Sequence, residues 1–259
     1  MADLLDRKDL MWAMDVDKFQ IADCLIFGGE EFSCEAPCLL WNEHKMETKA
    51  GDGGRRRSPK QLIDLFVWHW TGGEGDISRL FKTLDKRDLG VEFAIDTVGT
   101  IWQFCDPILV DTFDAGFVNP RSMGCEVVNY GFTMKNRKPT GELGKLRDTY
   151  FTRLRGRRRE MARFFPAQLN SAYALAETVS LAVPTIPRCV PLDDDGELLM
   201  ETMRRREIRN YSGHIGHFHI SERKSDPGED LLRMLIVNGY ADEGRLGVDT
   251  WKVDASQFT

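Results

Sequence analysis

Four of the five histidines in this 259-residue chain lie in two short segments that are far apart in the sequence. The first segment, residues 66–73, reads FVWHWTGG, and the second, residues 214–228, contains GHFHI followed by KSDPG. One imidazole from the first segment, with one imidazole and one carboxylate from the second, would make a three-ligand zinc centre. Its open fourth position is what a hydrolytic site needs for the attacking water. Such a site requires a fold that brings these two segments together.

The residue types alone leave the ligand set open. His69 lies in an apolar run that ends in a glycine turn, and such a turn exposes the last side chains at the edge of a sheet. His214, His217 and His219 compete for the second position. On an extended strand His217 and His219 face the same way, so both could bind, or one could orient the other. Asp226 precedes a Pro-Gly turn that could aim its carboxylate inward, although it could also only cap that turn.

The composition limits the partners of the chain. An apolar fraction of 42% predicts a sizeable core, and a net charge of -6 predicts no nucleic-acid partner. No stretch is long and apolar enough to cross a bilayer, so we expect no membrane partner. Residues 1–8 lack the basic start and apolar run of a secretory signal, which predicts a protein that is cytoplasmic at synthesis. Arginine clusters at 55–57, 153–159 and 204–206 are typical of solvated surfaces, and the six cysteines of reduced thiols.

Apolar patterns and turn residues predict an α/β fold with a central mixed sheet flanked by helices. Residues 1–60 are predicted to form an N-terminal extension or small accessory β-rich subdomain, either packed on the rest or joined to its sheet, and residues 61–259 to form the catalytic domain. Predicted strands cover 62–70, 91–96, 101–104 and 123–130, with two or three more in 19–41 and a short extended segment at 214–220. Predicted helices cover 77–86, capped by Asp76, 166–182, which begins with a proline, and 230–238. Residues 130–149 are predicted to be a loop.

Four motifs in this order resemble those of the zinc-dependent N-acetylmuramoyl-L-alanine amidases of the phage lysozyme and peptidoglycan-recognition type. A strand ending V-H-x-T-x-G is matched by residues 67–73 with one extra tryptophan, and G-H-x-x-I with K-x-D-P-G by residues 216–228. Between them, residues 93–103 match a hairpin reading x-F-x-I-D-x-x-G-x-I-x-Q, and residues 122–126 match S-I-G-I-E. The resemblance covers roughly residues 62–235 and implies an amidase-like mixed sheet with helices.

The resemblance also implies a role for individual side chains. It implies that His69, His217 and Asp226 bind Zn²⁺ and that His219 does not. Glu126 matches the general base, and Lys224 matches the lysine that faces the scissile carbonyl, where a cation would stabilise the developing oxyanion. Three further residues beside these motifs are expected to contact substrate: Trp70, Thr71 and Asn129.

The chain departs from the family pattern at two places. Family members often have Tyr-His at the start of the hairpin strand, where this chain has Val91 and Glu92. Glu92 is therefore an alternative or additional base to Glu126. The usual Trp-His before the glutamate strand is replaced within residues 113–116, which read FDAG.

The implied activity is hydrolysis of the amide bond between N-acetylmuramic acid and L-alanine in peptidoglycan. A wall-cutting enzyme that is cytoplasmic at synthesis is typical of a phage-type, bacteriolytic endolysin, which acts on the wall after its release. Two alternatives are a cytoplasmic amidase that recycles anhydro-muropeptides and a peptidoglycan-binding protein that does not cut.

Overall fold

The computed structural model describes residues 19–41, 54–73, 76–131 and 147–240. The strands in chain order are β1 Phe19–Phe27, β2 Glu30–Trp41, β3 Gly54–Arg56, β4 Leu65–Trp70, β5 Phe93–Ile95, β6 Ile101–Gln103, β7 Val110–Thr112, β8 Ser122–Val127, β9 Thr149–Leu154, β10 Arg157–Ala162 and β11 Gly213–Gly216. The α-helices are α1 Ile77–Asp85, α2 Pro166–Ala182, α3 Arg205–Arg209, α4 His217–Ile220 and α5 Asp230–Val237, and a 3-10 helix spans Gly116–Arg121.

A seven-stranded mixed sheet organises the described chain, in the order β1-β2-β6-β5-β8-β4-β11. The pairs β5–β8, β8–β4 and β4–β11 are parallel, whereas β1–β2 and β5–β6 are antiparallel hairpins. Parallel strands end at the same edge of a sheet, so the residues at the ends of β4, β8 and β11 lie side by side. The predicted mixed α/β architecture is confirmed.

Strand β4 lies in the middle of the parallel part, and all six of its residues are buried. Its side chains alternate between the two faces of the sheet. Phe66, Trp68 and Trp70 belong to the core on one face, and Leu65 and Val67 to a cluster on the other. A strand buried on both faces has an almost continuous apolar sequence, which is why the run at 62–70 predicts a central strand.

Helix α2 covers the first face of the sheet. It packs on β2 and β5, and α5 packs beside it. Pro166 occupies the first turn, where its missing N–H removes no helical hydrogen bond. Both helices begin where the sequence predicts.

Helix α1 covers part of the opposite face. The carboxylate of Asp76 accepts a hydrogen bond from the backbone N–H of Arg79 at 2.8 Å, which is the predicted N-cap. Leu80 and Leu84 pack against Trp102 and Val128. The same face, further along the sheet, carries the 3-10 helix and α3.

Residues 19–41 join the main sheet instead of packing on it as a separate unit. Strand β2 pairs in parallel with β6 over residues 38–40, and β1 is the edge strand beyond it. The other residues of the predicted N-terminal extension, apart from 54–60, lie outside the described residues.

Two arginine-rich segments differ from what the sequence predicts. The arginine-rich stretch 149–162 forms an antiparallel hairpin, β9–β10, which the sequence analysis did not predict. Arg57 is buried, so the expectation that the cluster 55–57 is fully solvated was wrong for this residue. Its guanidinium donates to the backbone carbonyls of Pro107, Pro120 and Ser122. Most of the predicted loop at 130–149 lies outside the described residues.

Among the helices that are described, none combines the length and apolar character needed to cross a bilayer.

We expect Leu175→Ala in α2 to lower the free energy of unfolding by about 2–5 kcal/mol, because Leu175 is fully buried and the change leaves a cavity. Leu181 is 69% exposed on the same helix, so Leu181→Ala is a matched control and should cost less than about 0.5 kcal/mol. Urea unfolding followed by circular dichroism measures both. Equal losses would contradict the packing of α2 on the sheet.

Candidate metal centre

His69 is held by the pairing of β4 with β8. The two strands run parallel with His69 opposite Glu126. Residues paired in this way point to the same face, so both side chains lie on the face that also carries the 3-10 helix. His69 is buried and is the last but one residue of its strand. Its imidazole therefore lies at the sheet edge that the sequence predicted.

His217 reaches the same edge from β11. This strand pairs with β4, with Gly216 opposite Trp68, and His217 is the first residue of the short helix α4. The expectation of an extended segment over 214–220 was therefore wrong from residue 217 onward. Because a helical turn rotates successive side chains by about 100°, His217 and His219 do not share a face.

The other two histidines of the second segment have partners of their own. His219 accepts a hydrogen bond from the N–H of Gly216 at its Nδ1, and its Nε2 lies 2.7 Å from the carbonyl oxygen of Leu199. His214 accepts a hydrogen bond from the indole N–H of Trp68 at 3.3 Å. Burial lowers the pKa of His214 to about 3 and that of His219 to about 4. Both are neutral core residues.

Asp226 is aimed at the two imidazoles by a loop that folds back on α4. Its backbone carbonyl accepts a hydrogen bond from the N–H of Phe218 at 3.1 Å. A Cβ at Gly216 would lie 2.8 Å from both the Phe218 ring and the Cδ of Pro227. Only glycine at 216 lets the loop approach this closely.

Three ligand atoms converge as a result. The Nδ1 atoms of His69 and His217 are 2.9 Å apart, and each lies 3.1 Å from Oδ2 of Asp226. In a tetrahedral zinc site with bonds of 2.0–2.1 Å, the ligand atoms are about 3.3 Å apart. There is room for only one proton between the two facing Nδ1 atoms, so only one nitrogen can carry it. A cation would instead accept a lone pair from each nitrogen. The spacing and the two-nitrogen, one-oxygen donor set fit zinc.

The charges at this cluster also suit a cation. Burial alone would raise the pKa of Asp226, but hydrogen bonds with His217 and His69 hold it well below its usual range. Burial lowers the pKa of His217 despite its contact with Asp226. An ionised carboxylate next to a neutral imidazole is the state in which Asp226 and His217 bind metal. Burial would lower the pKa of His69, but hydrogen bonds with Asp114 and Asp226 raise it to about 10, so a cation has to displace a proton from this third ligand.

Glu126 lies beside the cluster. Its Oε2 is buried and has no hydrogen-bond partner in the described part of the protein. Burial raises the pKa of Glu126 to about 8, against the opposing effect of His69. A buried carboxyl with a free oxygen next to a candidate metal site is able to hold and release a proton.

Lys224 lies on the exposed part of the loop that ends at Asp226. Its charge lowers the pKa values of both Glu126 and His217, so its ammonium group acts on the same site. The loop is fastened from outside by Arg155 of the β9–β10 turn, whose guanidinium donates to the carbonyl oxygen of Lys224 at 2.8 Å.

The three residues expected to contact substrate lie around the end of β4. The ring of Trp70 is mostly buried, and Gly131 and Gly228 pack closely against it. The hydroxyl of Thr71 donates to the carbonyl oxygen of Gly73. The side chain of Asn129 is fully buried and bonds to the backbone of Ala162 and Gly131.

The two segments in which the chain departs from the family pattern lie close together near His69. Glu92 is fully buried and accepts a hydrogen bond from the N–H of Gly124 at 2.7 Å, with Arg57 at 3.6 Å from its other oxygen. Asp114 lies between them and the metal cluster, and its Oδ2 is 3.2 Å from Nε2 of His69. The sequence does not predict a role for Asp114, because its only signal there is a carboxylate where the family pattern has a histidine.

The mixed sheet carries a His-His-Asp cluster at one edge, and a comparison with known families identifies where such a chain belongs. Residues 58–229 match the family model described as N-acetylmuramoyl-L-alanine amidase. The match covers well over half of the chain, and the chain belongs to this family. No curated protein matches the chain.

Solved structures that resemble the chain at low sequence identity include two amidases and a protein solved with an anhydromuramic peptide. AmiD from E. coli, solved with the substrate anhydro-N-acetylmuramic acid-L-Ala-D-gamma-Glu-L-Lys, is 18% identical with a TM-score of 0.45, over 72% of this chain and 62% of that one. The endolysin LysCS from Clostridium intestinale is 13% identical with a TM-score of 0.42, over 71% and 88%. AMPDH3 from Pseudomonas aeruginosa, solved with anhydromuramic pentapeptide, is 19% identical with a TM-score of 0.43, over 72% and 64%.

The buried carboxyl of Glu92 predicts a pH-dependent stability. Burial raises its pKa to about 8, with Asp114 adding to the effect and Arg57 opposing it. The unfolded chain releases this proton near pH 4.5 and the folded protein near pH 8, so folding takes up a proton between these values. The free energy of unfolding contributed by Glu92 is therefore full below pH 4.5 and is lost as the pH rises through 8.

Glu92→Gln removes this titration, so the variant should gain stability relative to the unmodified protein as the pH rises from 5 to 8. Urea unfolding at a series of pH values measures the difference. A difference that stays constant over this range would contradict the buried, protonated state of Glu92.

Proposed function

We propose that this protein is a zinc-dependent amidase that hydrolyses the bond between N-acetylmuramic acid and L-alanine in peptidoglycan. The observation that carries the proposal is the convergence of two Nδ1 atoms and one carboxylate oxygen within 3.1 Å. Family membership supports the bond that is cut. His69, His217 and Asp226 would hold the metal.

Zinc, when bound, supplies a Lewis acid that polarises a carbonyl oxygen and makes water acidic enough to attack near neutral pH. Glu126 takes a proton from the attacking water at its free Oε2 and passes it to the leaving amine. Burial alone disfavours the ionised form of this carboxyl, and a divalent cation held by His69, His217 and Asp226 would favour it. The ammonium group of Lys224 stabilises negative charge on the oxygen of the scissile carbonyl.

Glu126, rather than Glu92, is the base in this proposal. Glu92 is fully buried, with one oxygen accepting the N–H of Gly124 and the other, which has no hydrogen bond, 3.6 Å from the guanidinium of Arg57. Glu126 lies beside His69 with one oxygen free. A base must reach the attacking water, and the unpartnered oxygen next to His69 supports Glu126 in this role.

A non-cutting peptidoglycan-binding protein is less well supported. Loss of the third ligand usually marks such proteins, whereas Asp226 is present here and contacts both histidines. The role we propose is that of a phage-type endolysin, cytoplasmic at synthesis and active on the wall after release, with the recycling amidase as the second candidate.

We expect His217→Ala and Asp226→Ala to abolish both zinc retention and cleavage, because each removes one of three ligands. His214→Gln changes a buried histidine outside the site and is the matched control, so it should keep zinc. Metal analysis of the purified proteins and mass spectrometry of digested sacculi measure the two properties. Full activity in metal-free protein would contradict the mechanism.

Glu126→Gln should retain zinc and slow turnover about 10²–10⁴-fold, the usual contribution of a general base. The glutamine keeps the size of the side chain but cannot accept the proton. Loss of zinc in this variant, or unchanged turnover, would remove Glu126 from the proposed role.

The two biological roles differ in substrate. An endolysin should lower the turbidity of permeabilised cells and release stem peptides from purified sacculi. A recycling enzyme should act only on soluble anhydro-muropeptides. Side-by-side rates on sacculi and on soluble fragments decide between them.

A further inference from the structure

Asp114 contacts the ring nitrogen of His69 that points away from the other ligands. Its Oδ2 lies 3.2 Å from Nε2 of His69, whereas Nδ1 of the same ring faces His217 and Asp226. Both side chains in this contact are at least 95% buried. Water therefore does not compete for Nε2, and the carboxylate is its partner.

The space for this contact exists because residue 124 is glycine. A Cβ on Gly124 would lie 1.9 Å from Oδ2 of Asp114, far inside any permitted contact. Gly124 is on β8, opposite Val67 of β4. A larger residue at 124 would push the Asp114 carboxylate away from His69.

Buried polar contacts hold the backbone that lies next to Asp114. Glu92 accepts the N–H of Gly124, and Arg57 lies at 3.6 Å from Glu92 while donating to the backbone of Ser122 at 2.8 Å. These buried groups connect β8 to the segment just before β5, which carries Glu92. They restrict movement of the backbone at Gly124, against which the Asp114 carboxylate packs.

We propose that Asp114 is a positioning residue for the metal centre. It accepts the Nε2–H of His69, and this bond selects the tautomer in which Nδ1 has a free lone pair directed at His217 and Asp226. A carboxylate behind a metal-binding imidazole fixes the ring and raises its basicity as a ligand. The inference rests on the proposed zinc site and adds a residue that the family pattern does not supply.

The first test is the zinc affinity of Asp114→Asn. Asparagine keeps the shape of the side chain and removes the charge, so the dissociation constant for Zn²⁺ should rise about 10–100-fold, the usual effect of losing such a partner. Competition with a chromophoric chelator measures this without any substrate. The absorption spectrum of the Co²⁺-loaded variant should also change, because the His69 ring is less well fixed.

Gly124→Ala provides a second, independent variant. It leaves every charge in place and displaces the Asp114 carboxylate by sterics alone, so Zn²⁺ affinity should also fall.

Asp106→Asn is the matched control for Asp114→Asn. Asp106 is also a buried acceptor, bonded to the N–H groups of Gly28, Gly29 and Ile108, and its loss should leave Zn²⁺ affinity within about twofold.

A direct readout keeps the inference testable if a variant does not fold. In the ¹⁵N NMR spectrum of the zinc-loaded unmodified protein, the ring of His69 should carry its proton on Nε2. A proton on Nδ1, or folded Asp114→Asn and Gly124→Ala proteins with unchanged Zn²⁺ affinity, would overturn the role of Asp114. Amidase activity in the unmodified protein would then leave the proposed function intact. If the unmodified protein bound no zinc, both proposals would fail.

Discussion

The parallel pairing of β11, β4 and β8 is the constraint on which the site depends. It places His69, Glu126 and His217 at one edge of the sheet, although they come from distant parts of the chain. Parallel strands need long crossover connections, and here those connections contribute the helices and loops that cover both faces. The last ligand, Asp226, then requires only a short loop that returns to α4. The convergence of these three side chains is thus a consequence of the sheet order.

The site also combines groups that would be unstable without one another. Two imidazoles, the carboxylates of Asp226 and Asp114, and the buried Glu92 all lie in a water-poor region, with the half-buried Glu126 beside them. Buried charges persist only when they are paired or bind metal. Arg57 provides one compensating charge below the site and Lys224 another at its exposed side. The divalent cation that we propose at the ligand cluster would supply the largest one, which is a physical reason for this grouping.

Local patterns predicted much of this arrangement. The apolar run of β4, the N-cap at Asp76 and the proline that opens α2 are signals within a few residues, and each element formed as expected. The convergence of His69, His217 and Asp226 was predicted from the motifs together with the residue chemistry, and the three side chains meet.

The features that the sequence analysis missed depend on contacts between distant residues. The helical turn of α4 spans only four residues, too few to show a helical period. The β9–β10 hairpin has arginines at positions where an apolar alternation would identify a strand. Asp114 and Arg57 gain their roles only from partners that lie far away in the chain, His69 and Glu92. No pattern within either segment contains that information.

X-ray absorption at the zinc edge of the zinc-loaded protein tests the central claim most directly. The account predicts one zinc per chain, surrounded only by nitrogen and oxygen at about 2.0–2.2 Å, with the multiple scattering of two imidazoles. Because the chain also contains six cysteines, a sulfur shell at about 2.3 Å is the clear alternative. Sulfur ligation, or a protein that takes up no zinc, would contradict the convergence of His69, His217 and Asp226 on a metal ion.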